Sequence, residues 1–517
     1  MEQVTILWAD DEIDLLKPHV LFLEQKGFTV VTVNNGEDAL DQVMGYHFDL
    51  VFLDENMPGL NGLETLVRIK EITPTLPVIM ITKSEEEHIM EDAIGSKISD
   101  YLIKPVNPNQ ILLSIKKNLD TKRLVSEKSS SQYQREFREI GMTLSNNLST
   151  EEWTEVYKKI VHWDLELEKS KDRGMFEILN MQKNEANAQF CKYIEKNYLQ
   201  WVNGAADDIP LMSHNLLKER VFDEVDKEAP LFLVVIDNLR YDQWKILQPV
   251  LNDFFRVDEE SLYFGILPTA TQYARNALFA GLMPSEIQKM YPKLWLNDED
   301  EGGKNQYEAD FLTGQLKRLG YHFKHSYNKI TNLSAGKKLV DNFNNLLSND
   351  FNAVVYNFVD MLSHARTDME VIRELADDEA AYRSITLSWF EHSPLLELMK
   401  LIAQNGSRMV ITTDHGTIHV KEPSKVVGDK NTNTNLRYKN GKSLQYNAKD
   451  VFEVKQPADA FLPRTHLSTS FIFAKEDKFF AYPNNYNYYV NYYRNTFQHG
   501  GISLEEVLIP LVHLSPK

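Results

Sequence analysis

Residues 4–11 read Val-Thr-Ile-Leu-Trp-Ala-Asp-Asp, a short apolar run that ends in two acids. Such a compact run, rich in β-branched and large apolar residues, is typical of a buried parallel strand. Four more runs of this kind follow, and segments with helical spacing separate them. The five predicted strands are Val4–Ala9, Phe28–Val33, Leu50–Leu53, Pro77–Thr82 and Tyr101–Ile103. Five βα repeats of this length predict one doubly wound α/β domain over residues 1–119.

The bulk composition excludes several classes of protein. At 517 residues the chain is too long for one hydrophobic core, and its 43% hydrophobic and 25% charged residues are ordinary for a globular protein. A formal net charge of −19 argues against bulk DNA binding, which needs a basic surface. The single cysteine, Cys191, forms no intramolecular disulfide, and no run of eighteen apolar residues occurs. We therefore expect a cytoplasmic protein without membrane insertion.

The middle of the chain has a helical composition. Residues 109–209 contain no proline and only three glycines, while Glu, Lys, Gln and Leu are frequent. This composition favours long helices. We expect a small helical bundle over residues 120–210, between the first domain and the rest of the chain.

After Pro210 the pattern changes to apolar, strand-like runs separated by helical segments. The three clearest runs are Leu231–Ile236, Val354–Phe358 and Met409–Thr412. Each is followed closely by a carboxylate, namely Asp237, Asp360 and Asp414. In open α/β sheets, ligands bind outside the carboxyl ends of the strands. Residues 211–517 are therefore predicted to form an α/β domain with a site at that edge.

Charged residues also stand at the strand ends of the first domain. Asp10 and Asp11 follow the first predicted strand, Asp54 ends the third, and Lys104 follows the fifth. Because these ends meet in one crevice, the three carboxylates can hold a magnesium ion through oxygen ligands. Asp54 is then a carboxylate nucleophile towards a phosphoryl group, while Lys104 and Thr82 contact the phosphate. The alternative, that these acids only cap helices, does not explain the matching order of all five residues.

Through these residues the segment resembles the response-regulator receiver family along its whole length. The resemblance implies that Asp54 is the phosphoacceptor and that a sensor histidine kinase is a partner. The implied magnesium ligands are Asp10, Asp11, Asp54 and the backbone carbonyl of Asn56. Thr82 and Tyr101 match the family's switch pair, and Lys104 matches its phosphate-binding lysine.

A second set of candidate ligands lies in the last 300 or so residues. Residues 411–416 read Ile-Thr-Thr-Asp-His-Gly, and residues 499–501 read His-Gly-Gly. Asp360 and His364 are four residues apart, which places both on one face of a helical turn. With Asp237, the set offers carboxylates and imidazoles without thiolates, a donor set that suits catalytic zinc. Each residue alone is more often structural, so the prediction depends on the whole set.

Together these residues resemble the alkaline-phosphatase superfamily, and especially its PglZ branch, over roughly residues 211–517. The resemblance implies two zinc ions and a threonine nucleophile. One zinc would take Asp360, His364 and His499, and the other Asp237, Asp414 and His415. Thr271, three residues after Pro268, matches the nucleophile and would also ligate the second zinc. Thr269 is the alternative nucleophile.

A receiver, a helical segment and a PglZ domain in this order resemble a group of regulators associated with the type IX secretion system. The resemblance implies phosphodiester hydrolysis of nucleotides or oligonucleotides, including cyclic ones, and a homodimer promoted by phosphorylation. The rival hypothesis is a catalytically silent response regulator whose PglZ domain recruits a protein partner. A monoesterase or mutase on the same scaffold also stays open.

Two further segments bear on the substrate. From Lys421 to Lys442 the sequence has six basic residues against two acids, which favours contact with a polyanion, although an ordinary solvated loop is an equal alternative. Residues 482–493 are dense in tyrosine. Base stacking is one interpretation of these rings, but for most of them we expect packing in the core.

Overall fold

The computed structural model describes most of the chain, with short gaps. The described residues are 4–83, 98–108, 110–112, 114–115, 118, 133, 135–170, 173–226, 228–298, 300, 302–362, 378–429, 432–464, 466 and 468–517. The chain divides into two compact units, Met1–Tyr133 and Gln134–Lys517. Among the described helices, none combines the length and the apolar character needed to cross a bilayer.

The first unit contains a parallel five-stranded sheet with the order β2-β1-β3-β4-β5. Its strands are β1 (Thr5–Ala9), β2 (Thr29–Val33), β3 (Leu50–Asp54), β4 (Val78–Thr82) and β5 (Asp100–Ile103). Its helices include Lys17–Gln25, Gly36–Gly45 and Gly62–Ile72, with a 3-10 turn at Ile13–Leu16. The predicted doubly wound α/β fold is confirmed, and each strand lies within one residue of its predicted bounds.

This sheet is buried on both faces. Neighbouring residues of a strand point to opposite faces. Leu7 and Val51 therefore pack in one apolar cluster, while Ile6 and Phe52 pack in another. Burial on both sides explains why the sequence shows continuous apolar runs instead of alternation.

The second unit begins with the helical segment, as predicted. Residues 135–144 are helical, and two long helices follow, Thr150–Ser170 and Arg173–Val202. The last helix packs against the fold that follows, where the backbone N–H of Leu267 donates a hydrogen bond to the hydroxyl of Tyr198 over 2.8 Å. Because one compact unit can contain more than one domain, the division at residues 120–210 and 211–517 stays a prediction.

The rest of the second unit is built on a six-stranded sheet with the order β7-β18-β10-β6-β9-β8. In chain order the strands are β6 (Leu231–Ile236), β7 (Phe255–Phe264), β8 (His325–Ile330), β9 (Phe351–Tyr356), β10 (Arg408–Thr412), β11 (Ile418–His419), β12 (Glu422–Lys425), β13 (Tyr438–Lys442), β14 (Val451–Val454), β15 (Thr469–Ala474), β16 (Lys478–Ala481), β17 (Phe497–Gln498) and β18 (Leu508–Pro516). Strands β10, β6, β9 and β8 are parallel neighbours, whereas β18 runs antiparallel to β10 and β7. Three smaller sheets, β11-β17, β12-β16 and β13-β15-β14, lie outside it.

Helices connect these strands. They are Leu216–Arg220, Tyr241–Leu251, Thr271–Ala280, Pro284–Met290, Glu308–Leu319, Leu333–Asp341, Phe343–Leu346, Glu379–Glu391, Pro394–Gln404, Tyr486–Tyr493 and Leu504–Val507, with 3-10 turns at Phe222–Glu224 and Pro457–Ala460. The predicted strand Val354–Phe358 is wrong at both ends, because β9 spans Phe351–Tyr356 and residues 358–362 are helical. An apolar run of this length does not distinguish a strand from a buried helical turn.

A buried ion pair holds the loop that carries residues 499–503. Nε and Nη2 of Arg437 donate to the carboxylate of Glu506 over 3.0 and 2.6 Å, and neither side chain is exposed. The same carboxylate accepts the backbone N–H groups of Gly501 and Ser503 over 2.8 and 3.0 Å. Removing one partner of such a pair leaves a buried charge without compensation.

We expect Arg437→Met, which keeps most of the volume, to lower the free energy of unfolding by about 3–5 kcal/mol. Urea denaturation followed by tryptophan fluorescence measures this, because six of the seven tryptophans lie in the second unit. The control is Lys169→Met, which breaks the solvent-exposed pair with Glu166 and should cost less than about 1 kcal/mol. An equally small change for both variants would contradict a structural role for the Arg437–Glu506 pair.

Candidate functional site

The crevice of the first unit contains a lysine between two acids. Nζ of Lys104 lies 2.9 Å from Oδ2 of Asp10 and 2.7 Å from Oδ1 of Asp54. Ligand atoms of Asp10, Asp11 and Asp54 lie within 4.8 Å of one another. Burial is the largest cause that raises the pKa of Asp54, repulsion by Asp10 and Asp11 adds to it, and Lys104 opposes it. A divalent cation would relieve this repulsion, so the crevice fits magnesium.

The remaining receiver residues lie around this crevice. Thr82 ends β4, is buried, and donates its hydroxyl to the carboxylate of Glu55, a contact that the sequence did not suggest. Asn56 is exposed two residues after Asp54. Tyr101 lies on the neighbouring strand β5, and its side chain is 42% exposed. The structure thus places the predicted switch pair on adjacent strands.

In the second unit, two acids meet at the ends of adjacent parallel strands. Asp237 follows β6 and Asp414 lies just beyond β10, and both are fully buried. Their ligand atoms and those of His415 lie within 4.8 Å of one another. Nε2 of His415 is 3.7 Å from Oδ2 of Asp414 and 4.0 Å from Oδ1 of Asp237. This first ligand group therefore consists of two carboxylates and one imidazole.

A second ligand group lies directly beside the first. Nε2 of His499 is 3.8 Å from Oδ1 of Asp360, and the rings of His499 and His415 stack with their centroids 4.2 Å apart. Asp360 lies in the helical turn that follows β9. His364 lies outside the described residues. The structure brings together every other predicted ligand of the two groups.

The two threonines considered as nucleophiles have different surroundings. Thr271 begins the helix Thr271–Ala280, and its Oγ1 lies 3.0 Å from Nε2 of His415 and 3.5 Å from Oδ1 of Asp237. Thr269 is fully buried, donates its hydroxyl to the carbonyl of Gly501 over 2.8 Å, and accepts the N–H of Gly500 over 3.1 Å. The Thr271 hydroxyl thus borders the first ligand group, while the Thr269 hydroxyl binds backbone.

Backbone contacts determine which ring nitrogen of each histidine carries the proton. Nδ1 of His415 lies 3.2 Å from the carbonyl oxygen of Gly416, and Nδ1 of His499 lies 3.2 Å from that of Thr269. A carbonyl oxygen only accepts, so each Nδ1 donates, which leaves each Nε2 as the ring atom that faces the acids and that could bind a metal. Histidines that ligate metals usually donate their other N–H in this way.

The electrostatics of the groups also fit a cation. Burial raises the pKa of Asp237 and of Asp414, and it raises the pKa of Asp360 well above the ordinary value, with repulsion by the other two acids as the next cause. Oδ2 of Asp414 is buried and accepts no hydrogen bond from the described part of the chain, and Nη1 of Arg275 lies 3.6 Å from it. Close carboxylates with an unsatisfied buried oxygen need positive charge, which bound metal ions supply.

One buried cation beside these acids was missed by the sequence analysis. Nη1 of Arg275 lies 2.5 Å from Oδ2 of Asp237, and its Nε lies 2.5 Å from Oε1 of Glu308. Arg275 stands four residues after Thr271 on one helix, so both side chains share a helix face. That spacing was the signal available in the sequence.

The basic segment from Lys421 to Lys442 offers less charge to a ligand than its sequence suggests. Arg437 is buried in its ion pair with Glu506, so its charge is not available to a ligand. Nζ of Lys439 donates to the backbone carbonyl of Asn433 over 2.7 Å, and burial lowers the pKa of this lysine to about 8. The prediction of an exposed basic loop is therefore wrong for these two residues.

The tyrosine-dense segment is also less buried than expected. The side chains of Tyr482, Tyr488 and Tyr489 are 46%, 64% and 38% exposed. The expectation of core packing is wrong for these three rings. Tyr488 and Tyr489 lie on the helix Tyr486–Tyr493, of which only Val490 is buried, and Tyr482 lies just after β16.

Three family models match the chain. Residues 6–116 match the response regulator receiver domain, and residues 123–202 match the PorX response regulator linker domain. Residues 216–514 match the BREX system PglZ alkaline phosphatase-like domain.

Individual relatives share only part of the chain. It is 35% identical over 136 residues to the transcriptional regulatory protein ZraR of Klebsiella oxytoca, which covers 26% of this chain and 31% of that protein. It is 38% identical over 113 residues to the CpxR homolog of Haemophilus influenzae, which covers 22% of this chain and 48% of that protein. Each match thus spans less than half of the curated relative.

Among solved structures, a CheY-like receiver domain protein from Methanospirillum hungatei is 27% identical, with 23% of this chain and 96% of that chain covered and a TM-score of 0.23.

The PglZ match alone spans more than half of the present chain. The chain therefore belongs to the PorX-like response regulators, which join a receiver domain to a PglZ domain of the alkaline-phosphatase type.

Proposed function

We propose that phosphorylation of Asp54 controls a zinc-dependent phosphodiesterase in the second unit, which acts on nucleotides or on linear or cyclic oligonucleotides. The proposal includes a sensor histidine kinase as phosphodonor, a cytoplasmic location and a role in regulating type IX secretion. The observation that carries the enzymatic part is the position of the Thr271 hydroxyl beside the first ligand group, 3.0 Å from Nε2 of His415 and 3.5 Å from Oδ1 of Asp237.

The donor set suggests which residues hold the two ions. Asp237, Asp414, His415 and Thr271 would hold one, and Asp360, His499 and His364 the other. Carboxylate and imidazole donors suit zinc. When bound, two zinc ions lower the pKa of a nucleophile and stabilise a leaving oxygen in phosphoryl transfer.

The chain's own groups orient the reaction. The Thr271 oxygen bonds to phosphorus while the bond from phosphorus to the leaving alcohol breaks, and the hydroxyl proton passes to solvent. The leaving oxygen takes a proton from water, and a second water then hydrolyses the threonine ester. Arg275, one helical turn from Thr271, is paired with Asp237 and Glu308, so its role is to hold the Asp237 carboxylate in position.

The catalytically silent alternative fits the geometry less well. A recruitment surface has no physical need for a buried carboxylate oxygen such as Oδ2 of Asp414, which accepts no hydrogen bond from the described residues, or for two imidazoles whose Nε2 atoms face acids. Assays with a diester and with a monoester substrate distinguish the proposed phosphodiesterase from a monoesterase.

For the nucleophile, we expect Thr271→Val to lower kcat/KM for bis(4-nitrophenyl) phosphate by about 1,000-fold or more, because the shape stays and the attacking oxygen is lost. Thr271→Ser, which keeps that oxygen, should retain substantial activity. A parallel assay with 4-nitrophenyl phosphate tests the monoester alternative. Wild-type turnover in Thr271→Val, combined with a loss in Thr269→Val, would move the assignment to Thr269.

For regulation, the geometry of the first unit suggests a surface for a symmetric dimer. Strand β5 is the edge of its sheet, and Tyr101 on that strand is largely exposed. A phosphoryl group on Asp54 would bring about −1.5 to −2 charges next to Lys104 and Thr82. This change would alter the contacts of both side chains with Asp10, Asp54 and Glu55.

We therefore expect beryllofluoride with magnesium to shift the molar mass from near 59.9 kDa towards twice that value in multi-angle light scattering. Asp54→Ala should stay monomeric under the same conditions, while Asp41→Ala, a change of an exposed acid, should shift like wild type. An unchanged wild-type mass, or an equal shift in Asp54→Ala, would exclude control through dimerisation.

A further inference from the structure

A cavity of about 380 Å³ lies between the segment 426–439 and the tyrosine-dense segment of the second unit. Its volume is in the range of small-molecule sites. Its lining includes Phe480, Tyr489 and Tyr493 together with the polar residues Asn433, Lys439 and Asn485. Flat aromatic rings beside a few hydrogen-bonding groups are the composition with which proteins bind nucleobases.

One polar atom of the lining has an unused hydrogen-bonding capacity. Nδ2 of Asn433 donates to Oδ2 of Asp298 over 2.9 Å, while Oδ1 of Asn433 is buried and accepts no hydrogen bond from any residue that the structure describes. The orientation of this amide follows from its partner, because only the nitrogen can donate to a carboxylate. A buried acceptor without a donor is costly, and a ligand N–H would satisfy it.

A donor of the lining contacts the backbone of the same residue. Nζ of Lys439 donates to the backbone carbonyl of Asn433, and among the described residues no carboxylate lies within salt-bridge distance of Lys439. A lysine nitrogen has three hydrogens, so further donation to a ligand is available. Every nucleobase presents N–H donors beside ring or carbonyl acceptors, and an edge of this kind pairs with such a donor–acceptor set.

The rings supply faces for stacking. Tyr489 and Tyr493 lie four residues apart on one helix, with ring centroids 6.2 Å apart and planes inclined by only 11°. Tyr489 is 38% exposed, so part of its ring is available to a ligand. Such a surface accommodates any base, because every base has a π face.

Residues next to the cavity lining contact two segments of the candidate catalytic centre. Asp298, which binds Asn433, also accepts from the hydroxyl of Tyr273 over 3.2 Å, and Tyr273 lies two residues after the nucleophile candidate on the same helix. Tyr438 packs against Gly500, next to His499, so closely that a Cβ on this glycine would lie 2.6 Å from its ring. The lining is therefore connected to the helix that begins at Thr271 through Asp298, and to the loop of His499 through Tyr438, the residue before Lys439.

We propose that this cavity is a nucleobase subsite, in which a base stacks on Tyr489 and pairs its edge with Oδ1 of Asn433 and Nζ of Lys439. This inference rests on the proposed function, because it assigns the base of a nucleotide substrate whose phosphate is cleaved at Thr271. It accounts for the exposed part of the Tyr489 ring and for the unsatisfied amide oxygen of Asn433 with one ligand.

The test compares a substrate with bases and one without. We expect Asn433→Ala and Tyr489→Ala each to lower kcat/KM for a dinucleotide, relative to kcat/KM for bis(4-nitrophenyl) phosphate, by about 10-fold. The fall should arise mainly from KM. Tyr488→Ala removes a neighbouring ring of the same helix that is outside the cavity lining, and it should leave the ratio unchanged. Circular dichroism verifies that each variant is folded.

A binding measurement separates this proposal from the proposed function. Adenosine, guanosine, cytidine and uridine, which carry no phosphate, are titrated calorimetrically into the full chain after treatment with a chelator. Binding of a nucleoside that is weakened in Asn433→Ala supports the subsite even if no hydrolysis occurs. Hydrolysis of both substrates with an unchanged ratio in Asn433→Ala and Tyr489→Ala, and without nucleoside binding, would overturn the subsite and leave the proposed function standing.

Discussion

The direction of three neighbouring strands is the constraint on which the candidate centre depends. Strand β6 lies between β10 and β9 and is parallel to both, so the acids that follow the three strands emerge at one edge of the sheet. Burial of Asp237, Asp360 and Asp414 near one another raises the pKa of each carboxyl group. Folding therefore assembles a group of acids that requires positive charge, and Arg275 supplies only part of it.

Other parts of the second unit hold this edge in place. The loop that carries His499 is fixed by Thr269 from one side and by the Arg437–Glu506 pair from another. The helix Arg173–Val202 adds a third support, because the side-chain oxygen of Asn187 accepts the N–H of Leu504 over 3.0 Å and its nitrogen donates to Glu505 over 2.8 Å. The helical segment thus contacts the helix Leu504–Val507, which directly follows the loop of His499, and helps to hold that loop in position.

Sequence reasoning was sufficient to place these acids at the ends of strands. Asp54 and Asp414 were located because buried strands have clear apolar patterns. It failed for the strand bounds near Asp360, because an apolar run continues from β9 into a helical turn. It did not use the four-residue spacing that places Arg275 on the same helix face as Thr271. It could not find Asn433 or the burial of Arg437, because these depend on contacts between residues far apart in the chain.

The central claim is that the two ligand groups form a dinuclear zinc centre. Anomalous diffraction from crystals of the active chain, recorded on both sides of the zinc absorption edge, tests it most directly. The account predicts two peaks, one in contact with Asp237, Asp414 and His415 and one in contact with Asp360 and His499. An active preparation whose crystals show no metal peak at these side chains would contradict the account.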